Sequence, residues 1–84
     1  MTPYVVPRWE APESYLEGRV AAEGTMPDGR TVRFHTQHTP GSPTEYWVTV
    51  TDGTTTLTSP ARATRDLASR MFETSQTGAT VWPR

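Results

Sequence analysis

Hydrophobic and polar residues alternate along much of this chain, and the alternation marks out strands. From Leu16 to Met26, the residues Val20, Ala22, Gly24 and Met26 fall on one side and Arg19, Ala21, Glu23 and Thr25 on the other, as in a strand buried on one face. Pro27-Asp28-Gly29 follows, with Pro at the first corner, Asp at the second and Gly where a positive φ is needed, which predicts a three-residue hairpin loop closed by a glycine bulge. Such a loop pairs Met26 with Arg30, so that Gly24 faces Val32, Ala22 faces Phe34 and Val20 faces Thr36, with Glu23 opposite Arg33 on the other face. A slip of one residue would set Phe34 against Glu23. Turn chemistry and hydrophobic pattern therefore select the same register.

Two prolines and a glycine between His38 and Thr44 suit neither a helix nor a ladder and predict a loop. Alternation then resumes, with Tyr46, Val48 and Val50 on one side and Trp47, Thr49 and Thr51 on the other. Asp52-Gly53 is a two-residue hairpin signal leading into Thr54 to Thr58, in a register that places Val48 opposite Leu57. Strands are thus predicted over about 16–26, 30–37, 45–51 and 54–58.

After Ser59 the period changes to that of a helix over about 60–75, with Ser59 as cap, Pro60 at the first position and Gly78 beyond the end. Ala61, Thr64, Leu67, Ala68, Met71 and Phe72 form its apolar stripe; Arg62, Arg65, Asp66, Ser69, Arg70 and Glu73 lie opposite. Two hairpins followed by one helix predict an α+β fold, an antiparallel sheet of three to four strands with the helix on one face. Residues 1–14 contain Pro3, Pro7 and Pro12 and read as an extended arm preceding a single domain, residues 15–84, that ends in an extended tail. Trp9 in the arm is expected to fold back onto the domain or to dock elsewhere. The sheet face away from the helix is expected to be open, lined by Arg19, Glu23, Arg33, His35 and Gln37 and by Trp47, Thr49, Thr51, Thr54 and Thr56.

Composition narrows the function classes. A chain of 84 residues has room for one core, and such a small domain gains from a partner or a second copy. Basic residues total 8 against 9 acidic ones, so no global positive field exists to hold a polyanion. The absence of Cys excludes disulfides and thiolate metal sites; with no secretory signal and no apolar run long enough to cross a bilayer, a cytoplasmic location is expected and no membrane partner. Lys, Ile and Asn are also missing while Arg, Thr, Ala and Pro abound, a usage that points to GC-rich coding in a bacterium or its phage.

The chemistry of catalysis is sparse. His35 and His38, three apart, point to opposite faces of an extended strand with no third ligand, so no metal is expected. No glycine-framed Ser, no Cys or Lys nucleophile, no carboxylate pair and no phosphate loop occurs, which predicts a protein that is not an enzyme and takes no cofactor or small-molecule substrate. The reading that remains is a small interaction or regulatory protein of phage or high-GC bacterial accessory type. It would bind another protein, or itself as a homodimer, through the open sheet face. Arg19, Arg33, His35 and Trp47 are the contacts expected on that face, with Trp9 and Trp82 as anchors in the terminal segments. The alternative is a DNA-binding module of βββα layout that presents the same face to the major groove. Against it, Glu17, Glu23 and Glu45 lie close to the arginines and repel phosphate.

Overall fold

The computed structural model describes residues 3–59 and 63–84. Its strands are β1 (Tyr4–Val5), β2 (Arg19–Thr25), β3 (Thr31–Gln37), β4 (Glu45–Asp52), β5 (Thr55–Thr58) and β6 (Thr80–Val81), with one helix, α1 (Arg65–Thr77), before β6. Strands β2-β3-β4-β5 form an antiparallel sheet in that order, and α1 packs on one face of it, giving the α+β architecture the alternation predicts.

The first hairpin closes as its turn chemistry dictates. Met26 N–H donates to the Arg30 carbonyl at 2.8 Å, and Gly29 takes φ 92°. Gly24↔Val32, Glu23↔Arg33 and Ala22↔Phe34 pair in the expected register, but a bulge between Val20 and Ala22 sets Val20 against His35 rather than Thr36. The extra residue moves Val20 onto the His35 side of the sheet and pairs Arg19 with Thr36, on the helix side. In the second hairpin Val50, not Val48, faces Leu57. Asp52 and Thr55 pair directly, leaving Gly53-Thr54 as the loop, with Gly53 at φ 61° where the first corner of a primed turn wants glycine. A shift of two residues leaves every side chain on its expected face.

The helix begins later than expected. The Ser59–Pro60 start falls partly on residues 60–62, outside the described residues. Ser59 N–H still bonds the Val48 carbonyl at 3.2 Å, and Ala63 N–H bonds the Tyr46 carbonyl at 2.8 Å, so the chain is tied to β4 on both sides of that gap. Thr64, assigned to the apolar stripe by sequence, is instead the N-cap, its side chain accepting from Leu67 N–H at 3.4 Å. Starting there turns the buried stripe to Ala68, Met71, Phe72 and Ser75 and leaves Leu67 58% exposed, about 100° round the helix from Ala68. Gly78 ends the helix at φ 87°. Thr64→Ala should cost about 0.5–1 kcal/mol, the lower part of the range for a lost cap because the bond is long. Urea unfolding would measure this, and an unchanged midpoint would mean the cap does nothing.

The core between sheet and helix holds Val6, Met26, Val32, Val48, Val50, Leu57, Ala68 and Trp82, flanked by Phe34, Tyr46, Met71 and Phe72. Val6 belongs to the arm, which the sequence sets apart from the domain. The arm is extended, as its prolines require, and built into the fold: β1 runs parallel to β6, and Val6 N–H donates to the Val81 carbonyl at 2.9 Å. Further along, Ala11 N–H bonds Thr56 and Thr58 N–H bonds Trp9, so the arm lies against β5 as a further edge segment.

Candidate interaction surface

Leaving β5 at Ala11, the chain crosses to β2 on the far edge of the sheet by way of a single 3-10 turn, Glu13–Tyr15. This crossing segment, residues 12–18, is a strap over the face expected to be open. Trp47 is fully buried beneath it, with the indole Nε1–H donating to the Tyr15 carbonyl at 2.8 Å and the Tyr15 ring 5.5 Å from the indole. A Cβ on Gly18 would collide with Cη2 and Cζ2 of Trp47, so only glycine lets the strap lie this close. The expected parity of β4 is therefore correct, since Tyr46, Val48 and Val50 meet the helix side, while the expectation that Trp47 looks out at solvent is overturned.

His35 shares that cover. The imidazole is 3% exposed and stacks on Trp47 with centroids 5.4 Å apart and planes 6° from parallel. Its Nε2 meets Thr49 Oγ1 at 2.7 Å, and its Nδ1 is buried without a hydrogen-bond partner. Burial holds the ring below its ordinary pKa of 6.5; the Gly18 backbone opposes that shift and the charge of Arg33 adds to it. The other histidine, His38, is exposed and meets Thr44 Oγ1 at 3.1 Å. Among the described residues no group of three or more His, Asp or Glu is placed to hold a metal ion.

The remaining candidates do not converge on one surface. Arg33 is half-buried, donating to Glu23 at 2.7 Å and to Thr51 at 3.2 Å, and Arg19 is exposed at the sheet edge. Trp9 packs at 6.4 Å against Tyr15 and keeps 41% of its surface, so an aromatic file runs Trp9, Tyr15, Trp47, His35 across the sheet. Trp82 lies on the other side, in the core, with Nε1–H donating to Ser75 Oγ at 2.8 Å. Trp47, His35 and Trp82 are thus inaccessible as contacts in this conformation, because the strap covers the first two and the helix side of the sheet takes the third.

Three residues that matter here escaped the sequence reading. Tyr15 and Gly18 fasten the strap, and their only sequence signal is an aromatic and a glycine just ahead of a strand. Arg30 is 5% exposed and ties the turn to the tail, donating to the Asp28 carboxylate, to the Trp82 carbonyl at 2.7 Å and to the Pro83 carbonyl at 2.7 Å. Its signal was present in the register, since pairing with Met26 points Arg30 at the core side.

The surface left bare is an edge. Every residue of β2 is exposed except Gly24, which is half-buried, and among the described residues the strand pairs with β3 on one side and with no strand on the other. With Met26 and Arg30 as a hydrogen-bonded pair, alternation places Glu23 and Thr25 at positions whose N–H and C=O groups point away from β3. A hollow of about 230 Å³ beside the strap is lined by Glu10, Ala11, Leu16, Thr54, Thr55 and Thr56, and it contains one ionisable side chain, so it assembles no acid–base pair. Among the described residues no helix is long and apolar enough to cross a membrane. No protein-family model matches the sequence, and neither a curated protein nor a solved structure matches the chain.

Proposed function

We propose that this chain is a small non-catalytic interaction protein whose β2 edge takes up an extended segment of another protein. The supporting observation is the asymmetry of the sheet: its β5 edge is covered by the chain's own arm, whereas β2 carries no cover among the described residues. An unpaired edge is a template for strand addition, in which backbone hydrogen bonds supply affinity. The strand has no Pro or Lys to deter pairing, and beyond the bulge at Val20–Ala22 its run from Ala22 to Thr25 is regular. The sheet-face route to a partner loses Trp47 and His35 to the strap, so the same sheet binds at its edge instead. Because the bulge turns Arg19 to the helix side, binding DNA through that face would rest on Arg33, which is already paired with Glu23.

A proline at an outward-pointing position removes one edge donor without breaking the ladder to β3. Capture of partners from the native host, followed by cross-linking to locate β2 in the contact, should succeed with the wild type and with Arg70→Ala, and drop at least tenfold with Glu23→Pro and with Thr25→Pro. Equal capture by all four proteins would remove the edge from consideration. Glu23→Gln separates the lost charge from the lost N–H and should bind like the wild type.

A further inference from the structure

We propose that this chain forms a twofold homodimer in which the β2 strands of two copies pair antiparallel about Gly24. The inference rests on the reading of β2 as a pairing edge, and it names the segment that takes that edge when no other partner is present. Alternation leaves Glu23 and Thr25 with N–H and C=O groups directed outward. A twofold axis perpendicular to the sheet at Gly24 sets Glu23 of each copy opposite Thr25 of the other. Each of these pairs exchanges two backbone hydrogen bonds, so the contact gains about four.

Neighbouring registers are poorer. An axis at Glu23 sets two like charges directly opposite each other, and one at Thr25 sets Glu23 against Pro27, which has no N–H. An axis between residues would oppose side chains from different faces. With the axis at Gly24, the side chains match across both copies. On the helix side one row reads Val32, Gly24, Gly24, Val32, and the next runs Phe34, Ala22, Met26, which gives Ala22, exposed in the single chain, an apolar neighbour. On the strap side the row reads Arg33, Glu23, Thr25, Thr31. Each Glu23 keeps its own Arg33 at 2.7 Å, so its carboxylate comes to the axis already neutralised.

Gly24 also makes room at the axis. A pair without backbone bonds between its members brings the Cα atoms to about 4.5 Å, and glycine puts no side chain between them. Gln76 of α1 lies over Gly24, where a Cβ would strike its carboxamide. Its Nε2 donates to the Phe72 carbonyl at 3.4 Å, which leaves its second N–H and its carbonyl oxygen to meet the same group of the other copy. The assembly closes at two. The β5 edge of each copy is bordered by its own arm through Trp9 and Ala11, so joining the two four-stranded sheets at β2 leaves no open strand edge among the described residues.

Size-exclusion chromatography with light scattering, from about 10 μM to about 1 mM, spans the range in which a small interface assembles. The wild type should pass from the mass of one chain to that of two and no further. Over the same range, hydrogen exchange read by NMR should slow severalfold at the Glu23 and Thr25 amides and stay constant at Trp82 Nε1–H in the core. Thr25→Pro removes one N–H from each bonded pair and should raise the dissociation constant at least tenfold. The chain has no Cys, so an introduced one reports the register. Gly24→Cys combined with Gln76→Ala, which clears the space, should form a covalent dimer on mild oxidation. Ala22→Cys, whose two copies stand roughly 13 Å apart along the strands, should not. Self-pairing is overturned if the wild type keeps the mass of one chain throughout, if the two amides exchange at a constant rate, or if Ala22→Cys cross-links as readily as Gly24→Cys. A single-chain mass together with lost capture of host partners by Thr25→Pro removes self-pairing and keeps the edge, whereas unchanged mass and unchanged capture in that variant remove both. Should Thr25→Pro fail to fold, seen as lost Trp82 protection, the wild-type exchange and the cross-links decide.

Discussion

Trp47→Ala is expected to lower stability by about 3–5 kcal/mol, the range for deleting a fully buried large aromatic. Trp47 has no exposed surface, and its ring is enclosed by His35 on one side and by Tyr15 and Gly18 on the other. Truncation would leave a cavity between sheet and strap, remove the indole bond to the Tyr15 carbonyl, and strip the stack from His35. A domain of this size has a stability of roughly 4–12 kcal/mol, so the loss takes most of the margin of a weakly stable chain. The corresponding fall in melting temperature is roughly 15–30 °C. Were Trp47 the solvent-facing anchor that its strand position suggests, the same substitution would change stability by no more than about 0.5 kcal/mol. Thermal or urea unfolding distinguishes these two values without knowledge of any partner. Trp47→Phe, which retains most of the packing and loses the Nε1–H bond, should cost less than half as much.

That contrast locates what a single sequence can and cannot reveal here. The faces of the strands were legible because alternation has a period of two and the Pro27-Asp28-Gly29 turn fixes the first register within one residue. The second turn was misplaced by one residue, and the pairing consequently by two, because Asp52-Gly53 and Gly53-Thr54 are both acceptable two-residue loops. Alternation states which residues share a face but not what covers it. The cover over Trp47 comes from Tyr15 and Gly18, some thirty residues away, in a segment whose prolines announce only that it is extended. The same holds for Val6, an apolar residue in that segment that reaches the core because β1 pairs with β6. A hint was available in the polar face itself: Thr49 and Thr58, both buried, flank Trp47 and His35, and a tryptophan beside a histidine in a threonine-rich face is costly to leave wet.

Arg30→Met is the second substitution with a large expected effect, about 2–4 kcal/mol, and its size should depend on pH. The side chain has roughly the right volume for the site, so packing is kept and the polar contacts are lost. Those contacts are the Asp28 carboxylate, reached at 2.9 Å by Nε and 2.7 Å by a terminal nitrogen, and the carbonyls of Trp82 and Pro83. Stranding two carbonyl acceptors and one carboxylate costs about 1–3 kcal/mol for each group that water cannot reach, and Asp28, with its side chain 26% exposed, regains some water. The effect spreads along the chain. Arg30 pins the tail at Trp82 and Pro83, β6 in that tail pairs with β1, and β1 leads through Val6 to the arm segment that borders β5 and becomes the strap. The pH dependence follows from Asp28. The hydrogen bond from the Arg30 side chain is the main reason its carboxyl lies below the ordinary 3.8; partial burial opposes this, and the Arg30 backbone N–H and the charges of Arg30 and Arg84 reinforce it. A carboxyl with a lowered folded pKa stabilises the fold above 3.8 and loses that contribution as pH falls through the lowered value. His35 acts separately and earlier, since its lowered pKa erodes stability once pH drops below about 6.5. The difference between wild type and Arg30→Met should therefore be constant from pH 7 to pH 5, where both proteins lose the His35 contribution alike, and should shrink below pH 3.8 as Asp28 protonates. Urea unfolding at pH 7, 5 and 3 measures it, and a difference that is the same at pH 3 as at pH 7 would show that Arg30 holds the tail without any help from Asp28.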